Sequence, residues 1–206
     1  MVVVTPDCQE HESWMGLAIR EAERARGSTG DNPWVGCVIV DPAGAVLGRG
    51  CTRGPGEDHA EIGALREADG RGLRVEGATM YSTLEPCSFH GRTPACSRVC
   101  IDRRLGRVVL GMRDPNPRVD GEGIRILREA GVDVVESVCE EQVRRQLGSW
   151  VVAFHPHEPL RRARALPAAM GLRELAETLA GLYAVELVLV EPIARSALMS
   201  RTPRAR

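Results

Sequence analysis

The chain has 206 residues, 43% of them hydrophobic, and its 27 basic residues, all arginine, nearly balance 28 acidic ones to leave a net charge of -1. This composition suits one domain of ordinary size with an appendage, excludes wholesale disorder, and gives no electrostatic reason to expect nucleic acid as a partner. No apolar run approaches the roughly 20 residues that cross a bilayer, and the opening "MVVVTPDCQE" turns polar too early for a secretion signal. A cytoplasmic protein with no membrane partner is therefore expected. Its seven cysteines are expected to be reduced and available to a metal.

From Ser13 to Arg26, apolar residues at Trp14, Leu17, Ala18, Ala22 and Ala25 predict a helix that stops before Gly27. Residues 35–41 and 45–50 read as two strands joined by a hairpin turn at Asp41-Pro42-Ala43-Gly44. A helix follows from His59 to about Asp69. The run at 77–86 reads as a buried strand that delivers Glu85, Pro86 and Cys87 at its end. Thr93-Pro94 opens the next helix, where proline is tolerated in the first turn. Strands at 107–112 and 132–138 flank a helix at 123–130, a crossover that implies parallel pairing. A helix from Glu140 to about Val151 closes the domain, expected to span residues 1–157. The whole predicts an α/β fold, a three-layer α/β/α sandwich over a mixed five-stranded sheet. Residues 158–206 form an extension too short for its own core, with a helical stretch near 171–181 and an apolar run at 184–190. The arginines at 161, 162 and 164 read as a solvated surface.

His59 and Glu61 stand two positions apart at a predicted helix start, where the helix dipole alone favours a carboxylate. Residues 85–96, "EPCSFHGRTPAC", give the pair a chemical context. Cys87 at the strand end and Cys96 nine positions on join His59 as three zinc donors. Structural zinc sites close with four protein ligands, whereas three leave a position open for water, so a catalytic zinc is expected. The metal acidifies that water. Glu61 is then placed to take its proton and pass it to a ring nitrogen and a departing amine, which is hydrolytic deamination. Cys8, Cys37, Cys51, Cys100 and Cys139 are expected to be packed thiols.

Together "NPWVGCVIV", "HAE", "TLEPCSFHGRTPAC" and "RVVLGMRDPNPRVDGEGIRILREAGVDV" resemble the zinc-dependent pyrimidine deaminase family of riboflavin biosynthesis, over about residues 12–150. Eight residues between Cys87 and Cys96 mark this branch; the nucleoside, tRNA and polynucleotide deaminases typically have two. The resemblance implies a cytidine deaminase-like fold, Zn2+ held by His59, Cys87 and Cys96, and proton transfer by Glu61. It implies a small-molecule substrate of the 2,5-diamino-6-ribosylamino-4(3H)-pyrimidinone 5′-phosphate type. Asn32 is similar to the family's base-binding asparagine and Arg92 to its basic phosphate contact, with Ala60, Asp114 and Asn116 as further substrate contacts. Asn32 beside Pro33 equally suits a turn, and Arg92 a solvated surface.

The chain departs from the family where histidines usually stand near the ribose phosphate. Thr52 holds one such position and Phe89 the other, with His90 one place later. These three residues are also expected at the substrate. The departures motivate an alternative substrate, another aminopyrimidine or fused heterocycle in a specialised pathway. A third reading is a zinc-stabilised binding module without turnover. The deaminase is expected to be a homodimer and to stand alone, without a reductase domain.

Overall fold

The computed structural model describes residues 6–89, 94–167 and 170–185. Helix α1 (Pro6–Glu23) leads into the hairpin of β1 (Gly36–Val40) and β2 (Val46–Cys51). Then follow α2 (Ala60–Gly70), β3 (Thr79–Leu84), α3 (Cys96–Asp102), β4 (Arg107–Met112), α4 (Glu122–Glu129), β5 (Asp133–Val135) and α5 (Glu140–Phe154). Strand order is β2-β1-β3-β4-β5. β1 is antiparallel to β2 and β3, while β3, β4 and β5 pair in parallel. The sheet is therefore mixed and five-stranded, as expected.

Alternation along β1 splits its side chains between two layers. Cys37 and Ile39 join Ala64, Leu65 and Ala68 of α2 and Leu127 of α4. Val38 and Val40 pack with Met15 and Ala18 of α1 on the other face. Helix α5 lies on the α1 side, where the Gln146 side-chain amide donates to the Ile19 carbonyl over 2.9 Å. The three layers of the predicted sandwich are thus present.

The register gathers the functional segments at one end of the sheet. Cys51 lies opposite Gly36, Ser82 opposite Cys37, and Met112 beside Leu84. Gly50 faces α2 so closely that a Cβ there would collide with the Ala60 carbonyl. Glycine therefore lets the first turn of α2 lie against β2, which seats His59 beside the ends of β1 and β3.

Several boundaries differ from expectation. α1 ends at Glu23 rather than Arg26, β3 spans only Thr79–Leu84, and α5 runs on to Phe154. α3 opens at Cys96 rather than at Pro94 because Ala95, with ψ of 125°, is outside the helical range. α1 begins at Pro6 rather than Ser13, because a solvent-facing helix continues through polar residues and proline suits a first turn. β5 ends at Val135 rather than Val138, because Ser137 and Cys139 have φ of 65° and 57°, outside the strand region.

After α5 come α6 (His157–Ala165) and α7 (Leu172–Tyr183). Tyr183 joins Leu147 and Trp150 in the main apolar cluster, and Gly148 leaves room for the Tyr183 carbonyl that any Cβ would strike. The Tyr183 hydroxyl donates to Glu158 over 2.8 Å, and Arg162 bridges Glu158 and Glu140 at 2.8 and 3.1 Å. Buried Arg144 also pairs with Glu140. The extension is therefore docked on α5 through residue 185. Most of the apolar run at 184–190 lies outside the described residues. Among the described residues, no helix is long and apolar enough to cross a membrane.

Candidate active site

His59 immediately precedes α2 in extended conformation, Cys96 opens α3, and Cys87 lies three residues beyond β3. His59 Nδ1 is 3.4 Å from Cys96 Sγ and 3.7 Å from Cys87 Sγ. All three ligand atoms lie within 4.8 Å of one another. A tetrahedral zinc with Zn–S of about 2.3 Å and Zn–N of about 2.0 Å separates nitrogen from sulfur by roughly 3.6 Å, so the donor set fits the ion. The Cys96 amide donates to Cys87 Sγ over 3.3 Å. The Cys87 thiol is pulled down to about 4, chiefly by a hydrogen bond from the Cys96 thiol, with His59 and that amide adding and burial opposing. His59 rises to about 9, first through its hydrogen bond to Cys87. The cluster thus supplies a thiolate, the form that binds metal. Cys100 stands apart: it is fully buried, its thiol donates to Met80 Sδ over 3.6 Å, and burial raises its pKa.

Glu61, the second residue of α2, is 4% exposed. Burial pushes its carboxyl up to about 7, helped by Cys87 and opposed by His59. A carboxyl poised near neutrality both accepts and returns a proton at physiological pH. Glu85, for which the sequence reading assigned no role, is also buried. Its carboxylate accepts the amides of Asp114 (3.3 Å), Gly121 (2.9 Å), Gly123 (2.9 Å) and Ile124 (3.2 Å). It ties the start of α4 and the loop after β4 to the strand end that carries Cys87. The signal was an acid closing an otherwise apolar strand, since such a group needs several donors when buried.

These residues face a cavity of about 650 Å³. Asn32, Thr52, Phe89, Asp114 and Asn116 line it together with His59, Glu61 and Cys87. Ala60 does not, because its side chain is fully buried in the core on the β2 side of the helix. His90 and Arg92 lie outside the described residues.

The rim residues differ in what they have left to offer a ligand. The Thr52 hydroxyl accepts the Val35 amide over 3.0 Å, extending the hairpin ladder. Asn116 accepts the Arg118 amide through Oδ1 over 3.1 Å and donates its own amide to Asp114 over 2.8 Å. The Asn32 carbonyl accepts the Thr29 hydroxyl over 2.7 Å, fixing the backbone beneath its side-chain amide. Burial holds the Asp114 carboxyl up at about 7 despite the Asn116 amide. Phe89 is 44% exposed, and the Arg118 guanidinium sits 5.9 Å from its ring centroid. Among the described residues no carboxylate pairs with Arg118, which stacks on Phe89 without itself lining the cavity. Trp150, Phe154 and His155 form another wall of the cavity that no sequence motif announces.

Residues 8–112 match the family model described as the cytidine and deoxycytidylate deaminase zinc-binding region. The chain is 49% identical over 125 residues to the riboflavin biosynthesis protein RibD of Escherichia coli, covering 61% of this chain and 33% of that protein. It is 39% identical over 158 residues to RibD of Aquifex aeolicus, covering 75% and 43% respectively. A solved diaminohydroxyphosphoribosylaminopyrimidine deaminase/5-amino-6-(5-phosphoribosylamino)uracil reductase from Thermotoga maritima superposes with a TM-score of 0.68 at 34% identity, over 73% of this chain and 43% of that one. The chain thus spans less than half the length of each of these relatives.

Proposed function

Because the chain belongs to the family of the cytidine and deoxycytidylate deaminase zinc-binding region, we propose that it hydrolytically deaminates an aminopyrimidine ribonucleotide in riboflavin biosynthesis. The substrate is of the 2,5-diamino-6-ribosylamino-4(3H)-pyrimidinone 5′-phosphate type. The observation that carries this reading is a buried carboxyl, Glu61, sharing one cavity with His59 and Cys87, while Cys96 completes the zinc-donor set from the core behind them. His59, Cys87 and Cys96 would hold the ion. Zinc, when bound, lowers the pKa of a coordinated water towards neutrality.

Glu61 takes up a proton released by the attacking water and delivers it to the pyrimidine ring nitrogen, then assists its transfer to the exocyclic amine. A C–O bond forms, the C–N bond breaks, and ammonia leaves. Low exposure of Glu61 keeps bulk water from competing for that proton. Asn32 offers a donor and an acceptor to the base edge. The names of the similar proteins support the pyrimidine nucleotide, and Arg118, stacked on the cavity-lining ring of Phe89, is a cation within one ring of the cavity that supports an anionic group on it.

A second reading, the same chemistry on another aminopyrimidine, rests on Thr52 and Phe89. The Thr52 hydroxyl accepts the Val35 amide and keeps only one neutral O–H to donate, and Phe89 has no polar group to give a ribose phosphate. Ammonia release from the riboflavin-type nucleotide, its dephosphorylated form, cytidine and dCMP tests both. Efficient turnover of the first alone is expected; a preference for another aminopyrimidine favours the second reading, and release from none rejects both.

A further inference from the structure

Two hydrogen bonds from one short segment reach two separate loops of the cavity rim. Trp150 Nε1–H donates to the Asp31 carbonyl over 2.9 Å, next to Asn32. His157 Nε2 bonds the Pro115 carbonyl over 2.8 Å, between Asp114 and Asn116. That carbonyl accepts, so Nε2 carries the proton. The two donors are seven positions apart in sequence, and Phe154 and His155 between them line the cavity. The His155 ring packs edge-on against Trp150 at 4.6 Å and against His157 at 5.8 Å, which joins the two donors through one aromatic stack.

Pro115 is buried and has no N–H, so its carbonyl is its only backbone means of attachment. The other hydrogen bonds of its loop are largely local: Asn116 to Asp114, Arg118 to Asn116, and the amides of Val119 and Asp120 to the Asn116 carbonyl. Glu85 holds the loop from below. His157 holds it from the side of the C-terminal extension, and the next residue, Glu158, is fixed by Tyr183 and Arg162.

We propose that the segment from Trp150 to His157 braces the substrate rim, with His157 a positioning residue for Asp114 and Asn116 through the Pro115 carbonyl. The described residues of the extension then support the pocket only indirectly, through Glu158 beside His157. The kinetic form of this proposal rests on the deaminase reading; the structural form does not.

Zinc-loaded full-length chain carrying His157→Ala or His157→Gln separates the two. In His157→Ala, KM for the aminopyrimidine nucleotide is expected to rise about five- to tenfold, the worth of one net hydrogen bond, with kcat within about twofold and zinc content unchanged. His157→Gln, whose amide N–H can reach the same carbonyl, should recover most of that loss. An unchanged KM in His157→Ala, or equal losses in both variants, overturns the proposal. Hydrogen exchange of the Asn116, Val119 and Asp120 amides gives a readout that needs no substrate. Faster exchange confined to that loop in His157→Ala and restored by Gln supports the brace; unaltered exchange overturns it. If exchange responds in this way while the parent deaminates no aminopyrimidine, the brace stands and the deaminase reading falls.

Discussion

At the floor of the cavity, ligand atoms within 4.8 Å of one another come from residues that precede a helix, open a helix or follow a strand. The rim is assembled differently, from the loops at Asn32, Thr52, Phe89 and Asp114–Asn116 and from the end of α5. Glu61 and Cys96 are buried and His59 and Cys87 half-buried, each within three residues of a helix or strand. Rim residues range from buried Thr52 and Trp150 to exposed Phe89, and several positions are tied by hydrogen bonds to loop carbonyls. Such an arrangement lets the reacting centre stay constant while the rim alters which molecule is presented to it.

The division can be broken most directly at the floor. Cys96→Ser or Cys87→Ser should abolish activity and lower both zinc content and melting temperature, because ligand binding contributes to folding free energy. Full zinc occupancy in either variant, by metal analysis, would mean that the ion sits elsewhere. Next in size, Glu61→Gln should reduce kcat by about 10²–10⁴-fold with zinc retained. A loss of only a few fold would leave Glu61 as a helix-start carboxylate.

Rim changes should be smaller and fall on KM. Arg118→Ala should raise KM for a phosphorylated substrate about ten- to hundredfold, since a charge-assisted hydrogen bond is worth ~1.5–3 kcal/mol. Added salt should weaken binding to the parent and so narrow the gap. A drop confined to kcat would place Arg118 outside substrate binding.

A separate effect, read on stability rather than on activity, concerns Asp114, whose carboxyl burial holds at about 7 against an ordinary 3.8. The folded chain therefore binds that proton more tightly than the unfolded one. Its contribution to stability falls as pH rises from about 4 to about 7, then levels off. Asp114→Asn removes that fall. Denaturant midpoints of zinc-loaded protein at pH 5 and pH 8 should show the variant gaining on the parent at the higher pH. Parallel trends would show that Asp114 titrates normally.

The same division governs what was legible in the sequence. His59, Cys87 and Cys96 were readable because His59 stands in one short motif and the two cysteines in another, and the chemistry of zinc admits few donor types. The strand order was inferable only in part, from one crossover. Trp150 meets Asp31 across 119 positions and His157 meets Pro115 across 42, and no local pattern announces either. Asn116 shows the opposite difficulty: its motif was conspicuous, yet its side-chain oxygen is engaged in shaping its own loop. Ala60 lay in the most recognisable stretch of all, but helix periodicity turned its side chain into the core. Motif membership identified the neighbourhood; side-chain direction depended on packing that the motif does not encode.

The closeness of Cys87 and Cys96 has a consequence for the life of the protein outside the cell. Two sulfurs this near, one with its thiol pKa lowered by the hydrogen bond from Cys96, are also the makings of a disulfide once an oxidant is present. The ion therefore serves as a protecting group as well as a reagent. Chelated stock kept in air should lose two hydrogens by mass spectrometry and regain activity only when zinc and a thiol reductant are both restored, whereas zinc-replete stock should keep its mass. Recovery with zinc alone would show that the metal-free sulfurs stay apart.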